Sequence, residues 1–254
     1  MLVGVVIPVY NERGLLPRLI ARLDATPRPK GPDGLAVTRH VFIVDDGSTD
    51  GTADLLVEYA RREDMTCLTG DRNRGKGSAL RRGFAAALER GCDAVIVQDA
   101  DLEYDPADHP GVLAPIFDGR ADAVIGTRFL GQTHRVLYFW HAVINRGLTT
   151  LSNMFSNLNL TDIECGTKAF SRPALAAIAP ALKEDRFGIE PELIARLARL
   201  RLPPPEGPEG AKRAIRIYEV PVSYAGRTYE EGKKIGWEDG FDALRCIVWY
   251  NLLG

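Results

Sequence analysis

Three acidic side chains at alternate positions, Asp99, Asp101 and Glu103, follow directly on the apolar run AVIV at 94–97. In extended backbone such alternation sends all three to one side. Carboxylates gathered at a strand end repel one another unless a cation lies between them. A hydrated Mg2+ or Mn2+, its shell completed by substrate phosphate oxygens, is the natural occupant. A metal–diphosphate site is one reading, and a solvated acidic turn ahead of Pro106 is the other. A second acidic cluster closes another apolar run, VFIVDDGSTDGT at 41–52. Asp50 is placed to cap a helix that begins near Thr52. Asp45 and Asp46 exceed what capping requires, and an Asp there can accept from a base N–H or a ribose hydroxyl; turn chemistry is the competing account.

The third constellation is GDRNRGKGSAL at 70–80, a basic, Gly-rich turn opening a helix, where backbone amides favour anions. Gly70, Gly75 and Lys76 satisfy most of a Walker A loop, so a P-loop NTPase competes. Against it, Gly77 stands where a Mg2+-binding hydroxyl belongs, and the cluster at 45–46 goes unused. His40, His109, His134 and His141 show no metal-ligand spacing, and His109 is read as part of a Pro-rich turn. No G-x-S-x-G is present, and Cys67, Cys92, Cys165 and Cys246 have no evident base nearby in sequence, so covalent hydrolase chemistry lacks support.

The elements that must position these groups alternate along the chain. Apolar runs at 2–8, 37–44, 65–68, 94–98 and 123–126 are plausible buried strands, separated by helical patterns at 15–24, 52–62 and 76–90. This repetition predicts a mostly parallel sheet with crossover helices, whose ligands gather outside the carboxyl ends of the strands. Beyond Thr127 the segment 136–155 is apolar and aromatic with few charges and reads as a helix that meets a membrane surface, the core or a partner. A helix at 188–200, a Pro/Gly-rich surface loop at 202–211, a strand at 214–224 and a helix from 237 to about 252 complete the chain.

With 32 basic against 34 acidic residues in 254, the net charge of −2 argues against a nucleic-acid binder that relies on a basic field. Four scattered cysteines favour a reducing compartment. The apolar run at 2–9 is too short for a signal peptide, and no stretch reaches the roughly 20 apolar residues of a spanning helix. The expected location is cytoplasmic, with any membrane contact made peripherally.

Taken in order, VVIPVYNE (5–12), IVDDGSTDGT (43–52), NRGKGSAL (73–80), QDADLEYDP (98–106) and GTRF (126–129) resemble inverting family-2 glycosyltransferases of the GT-A fold. Among these the chain is most similar to the dolichyl- and polyprenyl-phosphate mannose and glucose synthases. The likeness resumes at CGTKAFSR (165–172), FGIEPEL (187–193) and YAGRTYEEGKKIGW (224–237). It implies a single α/β, Rossmann-like domain over 1–254, with a nucleotide-sugar-binding half at 1–130 and an acceptor half with amphipathic helices at 131–254. By the same resemblance Pro8, Tyr10, Glu12 and Asp46 hold base and ribose, with Asp45 in support and Lys76 and Ala100 on the donor side. Asp99 positions ribose or a metal water, Asp101 and Glu103 coordinate Mg2+ or Mn2+, and Arg227, Lys233 and Lys234 belong to a basic loop over the diphosphate. Many relatives carry Gln where Glu103 stands. Arg128 lies by the acceptor phosphate; where look-alikes often place Arg and Ser four apart, this chain has His141 and Asn145 as the tentative acceptor contacts.

The implied reaction moves a hexose from a nucleotide diphosphate sugar, GDP-mannose before UDP-glucose, to polyprenyl phosphate. A divalent ion and Arg or Lys side chains stabilise the departing diphosphate. An ionised acceptor phosphate needs no general base, whereas a hydroxyl acceptor on a sugar or glycolipid would need a carboxylate such as Asp162, Glu164 or Glu190. The other alternative from outside the class is a non-catalytic nucleotide-sugar binding protein.

Overall fold

A computed structural model describes residues 1–32, 34–131, 135, 138–204, 208, 210–227 and 237–253. Strand β1 (Leu2–Val9) shows why the first half folds as it does. Val3, Val5, Ile7 and Val9 pack into one core layer and Val6 into the other, so the strand is covered on both faces, as a central parallel strand must be. β2 (Thr38–Asp45), β3 (Met65–Leu68), β4 (Ala94–Val97) and β5 (Ala123–Thr127) follow the expected apolar runs. Between them lie α1 (Leu16–Ala25), α2 (Thr52–Tyr59), α3 (Lys76–Glu89) and α4 (His109–Phe117).

Two elements of the sheet depart from the sequence reading. β6 (Lys168–Ser171), absent from that reading, inserts antiparallel between β4 and β5. The strand expected at 214–224 is instead β9 (Ile217–Pro221), parallel to β5, preceded by a two-residue strand β8 (Arg213–Ala214) that pairs with β7 (Arg201–Leu202). Val222 N still donates to Thr127 O at 3.0 Å, and the chain then leaves the sheet: Ser223 N donates to Asp108 Oδ2 at 2.7 Å and Tyr224 bridges to Tyr104. The seven-stranded sheet runs β3-β2-β1-β4-β6-β5-β9 and is parallel except for β6.

Helices α5 (Phe139–Ser156), α6 (Arg172–Ile178), α7 (Ile189–Arg199) and α8 (Trp237–Leu252) make up most of the second half. α1 and α4 cover one face of the sheet, α3, α6 and α7 the other, giving a three-layer α/β domain. α4 and α6 were not expected, α4 because Pro110 and Pro115 mask a helix that tolerates the first in its opening turn. His109, read as part of a turn, starts α4 fully packed: it is 4% exposed, its Nε2 lies 2.7 Å from Gln98 Oε1, and burial, then the Arg39 charge, lower its pKa to about 3. It is a neutral core histidine. No helix of the described residues is long and apolar enough to cross a membrane.

Candidate active site

The order reverses beside β1, which has β2 on one side and β4 on the other, so a crevice opens at the carboxyl edge. The antiparallel β6 matters here, because its first residue, Lys168, pairs with Ile125 and delivers residues 162–167 to that same edge. A cleft of about 570 Å³ results. Pro8, Tyr10, Glu12, Asp46, Lys76, Asp99, Ala100, Asp101, Glu103, Arg128, His141, Asn145 and Arg227 all line it, drawn from segments up to 219 residues apart, as are Glu164 and Glu190. Asp45 and Asp162 stand behind the wall, and Lys233 and Lys234 lie outside the described residues.

Asp45 closes the turn after β2, accepting Ser48 N at 3.2 Å. Asp46 faces the cleft and accepts the amides of Arg74 (2.9 Å) and Gly75 (2.5 Å), while burial pushes its pKa up against those bonds. The loop that mimics a Walker A motif therefore spends these two amides on a carboxylate. The start of α3 is also plugged: Ser78 N donates to Asp185 O, and a Cβ at Gly77 would sit 2.3 Å from Glu184 O. That is no phosphate cradle, which removes the structural basis of the P-loop reading.

Lys76 instead turns into the cleft, with Nζ 2.8 Å from both Asp99 Oδ1 and Glu190 Oε1. Burial pulls its pKa down, but Asp99 and Glu190 outweigh it and hold the ammonium charged. Glu190 Oε2 also bonds Lys168 Nζ, itself fully buried and anchored on the Ile163 and Cys165 carbonyls. Lys168 went unnoticed in the sequence, although a lysine opening the apolar run KAF was the available signal. A side chain at Gly166 would meet Asp99 Oδ2 at 2.1 Å, so glycine is required for this close approach.

The acidic loop is not the extended strand that its alternation implied. β4 ends at Val97, and Leu102 adopts φ +64°, left-handed backbone that is costly for a branched residue. Gln98 holds the bend, donating through Nε2 to the Asp99 and Tyr104 carbonyls while His109 holds its oxygen. The carboxylates converge because of this turn. Asp101 Oδ2 lies 3.1 Å from Arg227 Nη2, and Glu103 accepts Arg227 N and the Tyr224 hydroxyl, each at 2.8 Å. One guanidinium thus sits against two carboxylates, a donor set of hard oxygens compensated by a single cation. Among the described residues no cluster of three or more His, Cys, Asp or Glu forms a ready cage. Mg2+ and Mn2+ are commonly held by one or two carboxylates with the rest of the shell from substrate and water, so the donor set fits such an ion.

At the other end Arg128 grips Asp162 through Nε (2.6 Å) and Nη2 (2.7 Å), and Asn145 Nδ2 donates to the same carboxylate at 3.0 Å. Burial raises the pKa of Asp162, but Arg128 more than reverses this, so it stays ionised and committed. Two of five guanidinium hydrogens are used in that pair. Asn145 Oδ1 is buried with no hydrogen-bond partner among the described residues, and the His141 ring packs edge-on to Tyr138 at 5.5 Å.

A Rossmann-like sheet whose switch-point cleft joins an acidic loop to arginines and an aspartate-rich turn places a charge-lined cleft where open α/β sheets bind their ligands. The chain belongs to glycosyl transferase family 2, whose family model matches residues 4–178, and it is a glycosyltransferase. It is 31% identical to the undecaprenyl-phosphate mannosyltransferase of Micrococcus luteus over 98% of this chain and 94% of that protein. It is 32% identical to the polyprenol monophosphomannose synthase of Mycolicibacterium smegmatis over 68% of this chain and 63% of that one. In fold it matches the glucosyl-3-phosphoglycerate synthase of Mycobacterium tuberculosis, solved with Mn2+, UDP and phosphoglyceric acid, with a TM-score of 0.66 at 19% identity over 99% of this chain and 79% of that one.

Proposed function

We propose that the protein transfers a hexose, mannose in preference to glucose, with inversion from a nucleotide diphosphate sugar to polyprenyl phosphate at a membrane surface. The observation that carries the reading is the layout of one cleft, with the Asp101–Glu103–Arg227 group and Arg128 lining the same wall system. The names of the two mannosyl-transferring relatives support the sugar and the lipid acceptor.

Pro8, Tyr10, Glu12 and Asp46 hold base and ribose, Asp45 shapes the turn that presents Asp46, and Lys76 and Ala100 flank the donor. Asp99, steadied by Lys76, orients the ribose side. Asp101 and Glu103 hold Mg2+ or Mn2+, which when bound neutralises the diphosphate leaving group. Arg227 then has the diphosphate as an anionic partner in place of the carboxylates, with Lys233 and Lys234 assigned to the same loop. Arg128, Asn145 and His141 orient the acceptor phosphate, whose own charge makes it nucleophilic without a base. Residues 1–130 serve mainly the donor and 131–254 mainly the acceptor, with Arg128 reaching to the acceptor and Arg227 to the donor across that division.

Contact with the membrane is assigned to α5 and α8, which pack on each other. Phe139 and Trp140 are each 70% exposed at the start of α5, with Ile144 beside them on the cleft wall, and Phe241, Trp249 and Leu252 are exposed along α8. Such amphipathic helices lie in the interfacial plane.

Calorimetric titration of GDP, UDP, GDP-mannose, UDP-glucose and ATP, each with Mn2+ and with EDTA, tests the donor half. Metal-dependent selection of GDP-mannose is expected, and selection of ATP or of nothing defeats it. Incubation with polyprenyl phosphate in liposomes, with the anomer read by NMR, tests the rest; a product with retained configuration or formed only on a sugar hydroxyl overturns the acceptor assignment.

A further inference from the structure

The carboxylates at the heart of the cleft are committed. Asp99 and Glu190 face Lys76, Glu190 also faces Lys168, Asp162 is held by Arg128 and Asn145, and Asp101 and Glu103 meet Arg227. Glu164 differs. It lines the cleft, yet its Oε1 is shut off from solvent and has no hydrogen-bond partner among the described residues. The chain places it between Asp162 and Lys168, so its charged neighbours, Arg128 with Asp162 and Lys168 with Glu190, are ion pairs already closed on themselves. Burial, then the Glu190 charge, push its pKa up to about 7 against the pull of Lys168 and Arg128.

An unmatched buried oxygen is unfavourable, and a turn of the carboxyl, on a side chain that lines the cleft, lets a ligand group meet it. A phosphate is a poor match, since it offers oxygens and negative charge to a group that already lacks a cation. A hydroxyl matches, because it donates to one carboxyl oxygen and accepts from a protonated one. Glu164 shares the cleft wall with Lys76 and Asp99, assigned above to the donor, and with Arg128 and Asn145, assigned to the acceptor; the hexose passes between these groups.

We propose that Glu164 is a sugar-binding residue whose carboxyl hydrogen-bonds a hydroxyl of the hexose in transit. The assignment rests on the transferase reading of the cleft and adds to it a contact that a sugar has and a bare nucleotide lacks. Its test is calorimetry of a nucleotide sugar against the matching free nucleotide diphosphate, with Mn2+, for wild type, Glu164→Ala and Glu164→Gln, followed by transfer rates. Glu164→Ala is expected to weaken the nucleotide sugar about tenfold, the size of one hydrogen bond to a buried partner, and to leave the free nucleotide unchanged. Glu164→Gln, whose amide still donates and accepts, should stay within about threefold of wild type in affinity and in kcat/KM.

Glu164→Ala binding nucleotide sugar like wild type overturns the contact. Glu164→Gln as inactive in transfer as Glu164→Ala also overturns it, because that pattern makes the residue a proton acceptor for a hydroxyl nucleophile. A wild-type protein that binds free nucleotide but gains nothing from the attached sugar overturns the contact alone. Failure of the wild type to bind either ligand overturns the donor reading beneath it.

Discussion

The floor and the rim of the cleft are built on opposite principles. On the floor, strand ends and one strained turn hold charges at hydrogen-bond distance, and Lys76, Arg128 and Asp162 are all nearly withdrawn from water. On the rim, α5 and α8 leave large apolar side chains in solvent, with Phe139, Trp140 and Met154 on α5 each at least 70% exposed and Phe241 on α8 65% exposed. A floor of paired charges is preorganised for an ionic ligand and expends little reorganisation on binding. A rim of this kind has no such ligand in view; its apolar surface is worth burying only against something equally apolar. Removing a floor residue should therefore harm chemistry or stability, and removing a rim residue should harm association alone.

The strongest challenge to that contrast is Asp101→Ala, expected to lower transfer at least about a thousandfold with either Mn2+ or Mg2+, at the upper end of what one electrostatic group contributes. Turnover near normal would detach the acidic loop from the reaction. Next in size is Arg128→Ala, which strands the buried Asp162 carboxylate; urea unfolding should show a loss of about 3–5 kcal/mol. A loss below about 1 kcal/mol would mean that the floor is not preorganised through this pair. On the rim, joint replacement of Phe139 and Trp140 by Ala should weaken flotation with liposomes by about 2–3 kcal/mol, the burial of part of two aromatic side chains, with nucleotide-sugar affinity untouched. Unchanged flotation would remove the membrane assignment from α5.

The smallest effect concerns Glu164 and has a definite sign. Its folded pKa of about 7 lies above the ordinary 4.5, so the native state holds an extra proton between those values and wild-type stability falls as pH rises through them. Glu164→Gln does not titrate. Its stability relative to wild type should be level at pH 4 and higher by about 1–2 kcal/mol at pH 8, a figure reduced for the group's partial access to the solvent-filled cleft. Parallel denaturation curves at the two pH values check this, and a gap of equal size at both would show that packing rather than ionisation sets the difference.

Much of the floor is legible in the sequence. The five apolar runs lead to five strands, and the acidic and basic motifs that follow them lie where parallel strands end. β6 escaped because four residues beginning with lysine, KAFS, carry too little period to register. The bend at Leu102 escaped as well, since alternate acids read as extended backbone while the Gln98–His109 contact that holds the turn has no local signature. Tyr104 and Tyr224 are a further case: their rings lie 5.2 Å apart on the cleft wall, and 120 positions separate them.

By itself the sequence determined the inventory of chemistry and the family, because residue types, strand-ending motifs and their order are local properties of the chain. Which charge meets which was decided only by the tertiary structure. Arg227 reaches Asp101 across 126 positions and Arg128 reaches Asp162 across 34, and the choice depends on an antiparallel strand delivering 162–167 to the parallel edge. That Glu164 Oε1 is left without a hydrogen-bond partner among the described residues while Glu190 gains two lysines follows from the same folding. Coulomb and hydrogen-bond energies act over a few ångströms, and separation along the chain says nothing about distances of that size.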